Sequence, residues 1–348
     1  VLCALGLVAA GLSLFLHPGI SWIPAFFGLA YPFWFFLNLM FILFWLFIRW
    51  KYSTVSAVAL ALTWMAWSNM FAFHFSGNEK NTKQQLKVMS FNVRNFDLYN
   101  WKNNEKTLDN MLQLILVQQP DVLCLQEFFN ADSGKFQTIR RITAEAGLTF
   151  YRFEKTVERE HYGAWGVATF SRYPITGSEG FRFENSKFNA ALYTDVKMDS
   201  STLRIFNAHL QSVYFSQGDY EYIEQISRDQ DLQVKPTRQI LQKVKQGFIK
   251  RAPQAEQLAE AIAQSPLPVI LCGDFNDTPV SFSYHLLSSS LQDAFVKGGW
   301  GYSPTYTGSV FPFRIDFILA DKKLSVLHYQ TIRQKLSDHY AIACTIGW

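Results

Sequence analysis

An α/β architecture is expected of this chain: two packed mixed β-sheets flanked by helices, preceded by an N-terminal transmembrane helical region. Three features point that way. Between residues 1 and 78 the only formally charged side chains are Arg49 and Lys51, whereas the remainder mixes acids, bases and amides, a membrane composition followed by a soluble one. From residue 86 onward short, nearly all-apolar runs recur, as strands buried on both faces require. Between them lie stretches of helical spacing, such as residues 105–118, where Leu108, Met111, Leu112, Ile115 and Leu116 share one side.

The N-terminal region is read as residues 1–76. Residues 23–48 and 53–75 are uncharged, each long enough to cross about 30 Å of hydrocarbon as a helix. Residues 1–16 are apolar as well, so about three spans are expected, which makes the chain a multi-pass integral membrane protein. Pro24 and Pro32 should kink the second span or delay its start. Trp22, Trp45, Trp50, Trp64 and Trp67 lie partly near the expected ends, where aromatic belts form. A signal-peptide core is the competing reading of residues 1–16, but no small-residue cleavage site precedes the next apolar run. The short loop carrying Arg49 and Lys51 argues for a cytoplasmic position, which places the large C-terminal domain outside the cytoplasm. The spans also offer a surface for oligomerisation.

A polar juxtamembrane linker, residues 77–85, leads to the domain of residues 86–348. Residues 86–91 read as its first strand, residues 105–118 as a helix ended by Pro120, residues 122–126 as a strand, and residues 132–146 as a helix stopped by Gly147. Further strands are expected at 164–170, 190–196, 203–208, 268–272, 314–319 and 340–346. About 260 residues suffice for one such domain with a large core. Residues 212–263 depart from the pattern as a mostly polar, helical insertion. Between positions 228 and 251 it carries Arg228, Lys235, Arg238, Lys243, Lys245, Lys250 and Arg251 against only Asp229 and Asp231. Cys3 falls in the apolar region; Cys124, Cys272 and Cys344 fall in strand-like runs and read as small buried thiols. A Cys124–Cys272 disulfide stays open, because spacing alone cannot establish it.

Six short segments join a strand-like run to a polar residue suited to a divalent metal or a phosphate. They are Ser90-Phe91-Asn92-Val93-Arg94, Leu125-Gln126-Glu127, Asn207-Ala208-His209-Leu210, Gly273-Asp274-Phe275-Asn276-Asp277, Arg314-Ile315-Asp316-Phe317 and Ser337-Asp338-His339. In this order they resemble the endonuclease/exonuclease/phosphatase superfamily, the DNase I-like metal-dependent phosphoesterases, over roughly residues 86–348. The resemblance implies a four-layer DNase I-like sandwich and hydrolysis of a phosphoester. It implies that Glu127 is the principal ligand of Mg²⁺, with Mn²⁺ able to substitute, that Asn92 adds an amide oxygen and that Asp338 faces the metal. It further implies that Asp274 orients or deprotonates the attacking water and that Asn276 holds a phosphoryl oxygen. His339 would stand at the same phosphate with Asp316 fixing its tautomer, and His209 would donate to a phosphoryl or leaving oxygen. Tyr162 lies ahead of Gly163, Gly166 and a Val167-Ala168-Thr169-Phe170-Ser171-Arg172 stretch that matches the family, so a substrate-binding role stands there beside plain packing. Thr305-Tyr306 matches a position that usually lies close to the site.

Members of this superfamily cut DNA, RNA, inositol phosphates and sphingomyelin, so the motifs leave the substrate open. Of 32 basic residues Arg49 and Lys51 lie in the apolar region, which leaves 30 against 28 acids. That balance is lukewarm for a nuclease, which draws its non-specific affinity from neutralising phosphates. Anchoring beside a bilayer raises the effective concentration of lipid, and Tyr214, Phe215, Tyr220, Tyr222, Trp300 and Tyr302 could rim a lipid entrance. The expected activity is therefore phosphodiester hydrolysis of a phospholipid headgroup, similar in logic to neutral sphingomyelinases (sphingomyelin to ceramide and phosphocholine), with the bilayer as partner. A membrane-anchored nuclease using the same residues is the alternative and ranks nucleic acid second. A binding module that has lost catalysis is disfavoured by the presence of Glu127, His209, Asp274, Asn276, Asp316, Asp338 and His339 together.

Overall fold

The computed structural model describes residues 1–74, 82–100, 104–184, 186–229, 234–308 and 312–348. Residues 77–81 of the expected linker and Asp231 of the insertion lie outside them. By internal contacts the chain forms two units, one of Val1–Ala72, Val213–Ala259 and Asp277–Ser289, the other of Phe73–Ser212, Glu260–Asn276 and Ser290–Trp348.

The chain opens with α1 (Leu2–Leu12), α2 (Ile23–Leu29), α3 (Tyr31–Ile48), α4 (Ser53–Leu62) and α5 (Trp64–Met70). Then come β1 (Ala72–Phe73), β2 (Gln85–Asn92), α6 (Asn104–Gln118), β3 (Val122–Ala131), α7 (Thr138–Glu145), β4 (Phe150–Arg159), β5 (Gly163–Ser171), β6 (Ile175–Arg182), β7 (Ala190–Met198) and β8 (Ser201–His209). Two helices follow, α8 (Gln217–Asp229) and α9 (Val234–Ala263), and after them β9 (Val269–Asp274), α10 (Phe282–Ser288), β10 (Leu291–Asp293) and α11 (Ala294–Gly298). The chain closes with β11 (Trp300–Gly301), β12 (Asp316–Asp321), β13 (Ser325–Ile332) and β14 (Ala341–Gly347).

In the N-terminal region the expectation of three spans needs correction. Among the described residues only α3, with 18 residues, is long and apolar enough to cross a membrane, and α1 is a shorter apolar helix. Residues 53–75 do not form one helix, because Thr63 leaves helical geometry at φ −103° and ψ 20° and divides α4 from α5. Its hydroxyl donates back to the Ala59 carbonyl at 3.0 Å, the local competition by which threonine loosens a helix. Residues 23–48 divide at Ala30, and Pro32 takes the first turn of α3, where a missing N–H costs nothing. A multi-pass assignment is not supported by these lengths. The helices α1, α3 and α4 nonetheless pack together: the Asn38 amide donates to the Cys3 carbonyl at 2.9 Å, and the Tyr31 hydroxyl reaches the Thr63 carbonyl at 3.3 Å. Outward they present bare hydrocarbon, with Phe33, Phe36, Met40, Phe44 and Phe47 all exposed.

In the second unit two six-stranded sheets run in the orders β13-β14-β2-β3-β5-β4 and β10-β12-β9-β8-β7-β6. Each holds one parallel pair at its centre, β2 with β3 and β8 with β9, among antiparallel neighbours. These central strands are the nearly continuous apolar runs of the sequence, and β2 and β3 pack across onto β8 and β9. Outside the first sheet, α6 and α7 cover Met89, Phe91, Leu123, Leu125 and Phe170 with Leu108, Met111, Leu112, Ile115 and Ile142. The expected strands are all present, but β4, β6, β10 and β13, and the two-residue β1 and β11, were not anticipated. The first four are the edges of the two six-stranded sheets, and β4 is exposed or half-buried along its whole length, so no apolar run marks it. The second expected helix, 132–146, is shorter, starting only at Thr138. Cys124, Cys272 and Cys344 are buried thiols with no disulfide; Cys272 lies beside Cys124, and burial pushes its thiol well up.

Candidate active site

The ends of β2, β8 and β9, the bulge in β3, the start of β12 and the segment before β14 deliver the six motifs to one place. β2 ends on Asn92, β8 on His209, β9 on Asp274, and β12 begins on Asp316, which pairs directly with Asp274. His209 pairs with Asp274 across the parallel β8–β9 ladder. That ladder is tight at Gly273, where φ is 153° and a Cβ would stand 2.0 Å from the Ala208 carbonyl oxygen; only glycine lets the two strands meet there. Glu127 is delivered differently. The β3–β5 register shifts between Leu125 and Phe128, and Glu127 takes a φ of 47°, a bulge that re-aims its carboxylate from a strand otherwise buried.

Asn92 lies between two of the acids, its Nδ2 donating to Asp274 Oδ2 at 2.9 Å and to Glu127 Oε1 at 3.3 Å. Its oxygen, expected as a metal donor, instead accepts the Arg94 amide at 3.1 Å. Asp274 Oδ1 accepts the Asn276 amide at 2.8 Å. Both histidines look onto Asp274: Nε2 of His339 is 3.7 Å from its Oδ2 and Nε2 of His209 is 3.9 Å away. Nε2 of His209 is also 3.8 Å from Glu127 and has no hydrogen-bond partner among the described residues. Nδ1 of His339 meets Asp316 Oδ2 at 2.9 Å, and Thr305 accepts the Ile315 and Asp316 amides at 3.1 Å each. The Tyr306 ring stands edge-on to His339, centroids 5.2 Å apart. Asn276 has a φ of 53°, and its Nδ2 donates to the Leu210 carbonyl at 3.0 Å, leaving one amide hydrogen for a ligand. Tyr162 keeps different company: it stacks on Trp165 at 5.7 Å and packs on Phe129.

Burial and charge set the protonation states. Glu127 is pushed up to about 7 by burial and by the neighbouring Asp338, against the pull of His339 and Asn92. Burial likewise raises Asp274, with the charge on His339 opposing it, and lowers His209, keeping that ring neutral. On His339 burial disfavours the proton, but Asp316 and Asp274 outweigh it and hold the ring well above the ordinary histidine range. The site thus pairs one neutral and one cationic imidazole with carboxyls whose proton affinity burial raises.

Two features escaped the sequence reading. Arg94 pairs with Asp338 at 3.3 Å from a turn in which Arg94, Asn95, Phe96 and Asp97 all have φ between 45° and 60°, a left-handed run costing roughly 1–2 kcal/mol per residue. The motif containing Arg94 was the available signal. Beneath the site, Gln126 donates to Asn207 Oδ1 at 2.7 Å and to Ser90 at 3.1 Å, while Asn207 donates to the Ala168 and Leu125 carbonyls at 2.9 and 3.2 Å. This buried polar lattice locks one sheet to the other.

The donor chemistry suits a hard divalent cation. Asp274, Asp316 and His339 place ligand atoms within 4.8 Å of one another, but the His339–Asp316 pair is already satisfied by its own hydrogen bond. Oxygen donors lie instead around Glu127, Asp274 and Asp338, where burial raises the Glu127 and Asp274 carboxyls and a hard cation would stabilise their ionised forms.

A sequence profile described as the Endonuclease/Exonuclease/phosphatase family matches residues 89–339, and one described as a domain of unknown function matches residues 1–70. A sphingomyelinase of Dictyostelium discoideum is 24% identical over 133 residues, 33% of this chain and 29% of that protein. The match thus spans less than a third of that curated relative. Among solved structures, an endonuclease/exonuclease/phosphatase from Beutenbergia cavernae superposes with a TM-score of 0.54 at 18% identity over 76% of this chain and 72% of that one. A mannosyl-6-phosphatase of Bacteroides thetaiotaomicron gives 0.53 at 17% identity over 76% and 100%. TDP2 of D. rerio complexed with a single-strand DNA product gives 0.51 at 17% over the same shares. At such identities the structures establish the fold alone.

Proposed function

This chain belongs to the Endonuclease/Exonuclease/phosphatase family, hydrolases of phosphoesters, and on that premise we propose that it is a membrane-tethered, Mg²⁺-dependent phosphodiesterase of phospholipid headgroups, releasing ceramide and phosphocholine from sphingomyelin. The carrying observation is the joint presence, in one chain, of a convergent acid and histidine site and an 18-residue apolar helix only 11% buried. A soluble core helix would be covered. The partial likeness to a sphingomyelinase supports the same direction.

Glu127, Asp338 and, with its amide turned over, Asn92 would hold the cation; when bound it neutralises charge on the phosphoryl oxygens and sharpens phosphorus as an electrophile. Asp274, a better base than an ordinary carboxylate because burial raises it, orients the water and takes its proton. The water oxygen bonds to phosphorus as the bond to the lipid oxygen breaks. His339, held cationic by Asp316, faces the extra negative charge and returns a proton to the departing alkoxide. His209, neutral, donates a ring N–H, and the remaining amide hydrogen of Asn276 holds a phosphoryl oxygen.

Purified chain should hydrolyse sphingomyelin in mixed vesicles with Mg²⁺ and lose that activity in a chelator, while duplex DNA and sugar phosphates are turned over far more slowly. His339→Asn should cost about 10²–10⁴ in kcat with the fold intact by circular dichroism. Rapid DNA cleavage without lipid turnover would replace this reading by the nuclease one.

A further inference from the structure

The basic helix α9 belongs to the same unit as the N-terminal apolar helices. Phe248 packs edge-on against Phe26, centroids 5.4 Å apart, Glu256 approaches His17 at 3.5 Å, and Lys245 lies 4.6 Å from the centre of the Trp22 ring. The segment leading into α10 is tied in as well, since the Ser13 hydroxyl donates to the Val280 carbonyl at 2.7 Å in a buried contact. All these anchors fall between residues 13 and 28, where α1 ends and before α3 begins. From that junction α1 and α3 extend with their hydrocarbon bare: Leu2, Leu5, Phe33, Met40 and Phe47 are all exposed.

Between positions 234 and 255, α9 carries six bases and no acid. Two of the bases serve the fold. Arg251 is buried against Asp277 at 2.9 Å, and Lys243 bonds Asp219. Arg238, Leu241, Lys245 and Ile249 follow one helical stripe at three- and four-residue steps, and Arg238 and Leu241 are exposed. Of the facing acids, Asp219 is neutralised by Lys243 and Glu256 stands against His17. Passing from α3 to α9 the surface therefore changes from bare hydrocarbon to an aromatic ring bearing a cation and then to cations interleaved with Leu241. A bilayer offers hydrocarbon, interface and headgroups in that order.

We infer that the stripe of α9 formed by Arg238, Leu241 and Lys245 is a docking surface for anionic phospholipid headgroups at the rim of the bilayer that holds the apolar helices. This rests on the membrane reading above. Each base near an anionic surface strengthens association about fivefold, so the two act together by about twenty-five-fold, and the effect weakens with salt.

The test uses the full chain with Cys3→Ser and Gln242→Cys, labelled at position 242 with an environment-sensitive dye. It is mixed with vesicles of phosphatidylcholine alone or with rising fractions of phosphatidylglycerol. The dye should shift only when phosphatidylglycerol is present, and the combined substitution Arg238→Glu, Lys245→Glu should weaken the response at least about twenty-five-fold. Should charge reversal unfold α9, the glutamine versions, checked by circular dichroism, should still weaken it markedly. An equal shift in pure phosphatidylcholine, no loss on charge reversal, or a stronger response to single-stranded oligonucleotide than to phosphatidylglycerol each overturns the inference. Flotation with both vesicle types but no phosphatidylglycerol dependence ends this inference alone. No flotation at all ends the membrane reading beneath it. Cleavage of bis(para-nitrophenyl) phosphate by the unsubstituted chain reports separately on catalysis.

Discussion

Glu127 shows how backbone strain and electrostatics work through one side chain. Its φ of 47° is a conformation costing of order 1–3 kcal/mol that a fold keeps where the surroundings over-determine it. The return is a carboxylate turned toward Asn92, His209 and Asp338. Because its folded pKa is raised to about 7, the metal-free protein binds this proton more tightly than the unfolded chain does. The stability it contributes is full below the unfolded value of about 4.5 and is lost as pH rises through about 7. A divalent cation competes with that proton, so Mg²⁺ affinity should fall about tenfold per pH unit below 7. Thermal denaturation should show a larger Mg²⁺-induced rise in Tm at about pH 8 than at about pH 6, and Glu127→Gln should abolish the rise at both. Equal gains at the two pH values would show that Glu127 is not the ligand.

Among the elements, β3 and β8 do the most to hold the site together, because their buried amides tie the sheets directly under it. Asn207→Leu leaves the Leu125 and Ala168 carbonyls without their donor and takes the acceptor from Gln126. A loss of at least about 3 kcal/mol is expected, three stranded buried groups costing about 1–3 each, read as a lower urea midpoint at unchanged m-value. A midpoint within the noise of the parent would mean that water replaces the lattice. Helix α9 is held by another buried polar contact, Arg251 with Asp277, both side chains nearly inaccessible.

Taken whole, the chain assembles its helical unit from three separated stretches: the N-terminal helices, residues 213–259 and residues 277–289. Removing residues 1–70 should therefore do more than release a tether. Phe248 loses Phe26, and Val280 loses the Ser13 hydroxyl, so fresh apolar surface appears on α9 and α10. A chain beginning at Phe71 should fail to float with vesicles and should bind an apolar dye such as ANS more strongly than detergent-extracted full-length protein. Dye binding no greater than that of the full chain would mean the helices can repack without the N-terminal region.

Much of this was readable along the chain. The central strands announce themselves as apolar runs because both their faces are buried, and each places its polar residue at an end, so Asn92, His209, Asp274 and Asp316 could be named before any coordinates. The charge-poor stretch to residue 78 likewise marked an apolar region, although the break at Thr63 depends on a side-chain hydroxyl bonding back to Ala59 and leaves no trace in hydropathy. What the linear pattern does not carry is the identity of distant partners. Edge strands such as β4 are ordered by a neighbour rather than by burial, the bulge at Glu127 follows from register against β5, and Asn92 turns its nitrogen to the acids because of the Arg94 amide. The basic run of α9 reads locally as a solvated insertion, and its place beside Trp22 and Phe26 comes from contacts across more than two hundred residues. Local spacing reports that a face must be covered, and long-range packing chooses what covers it.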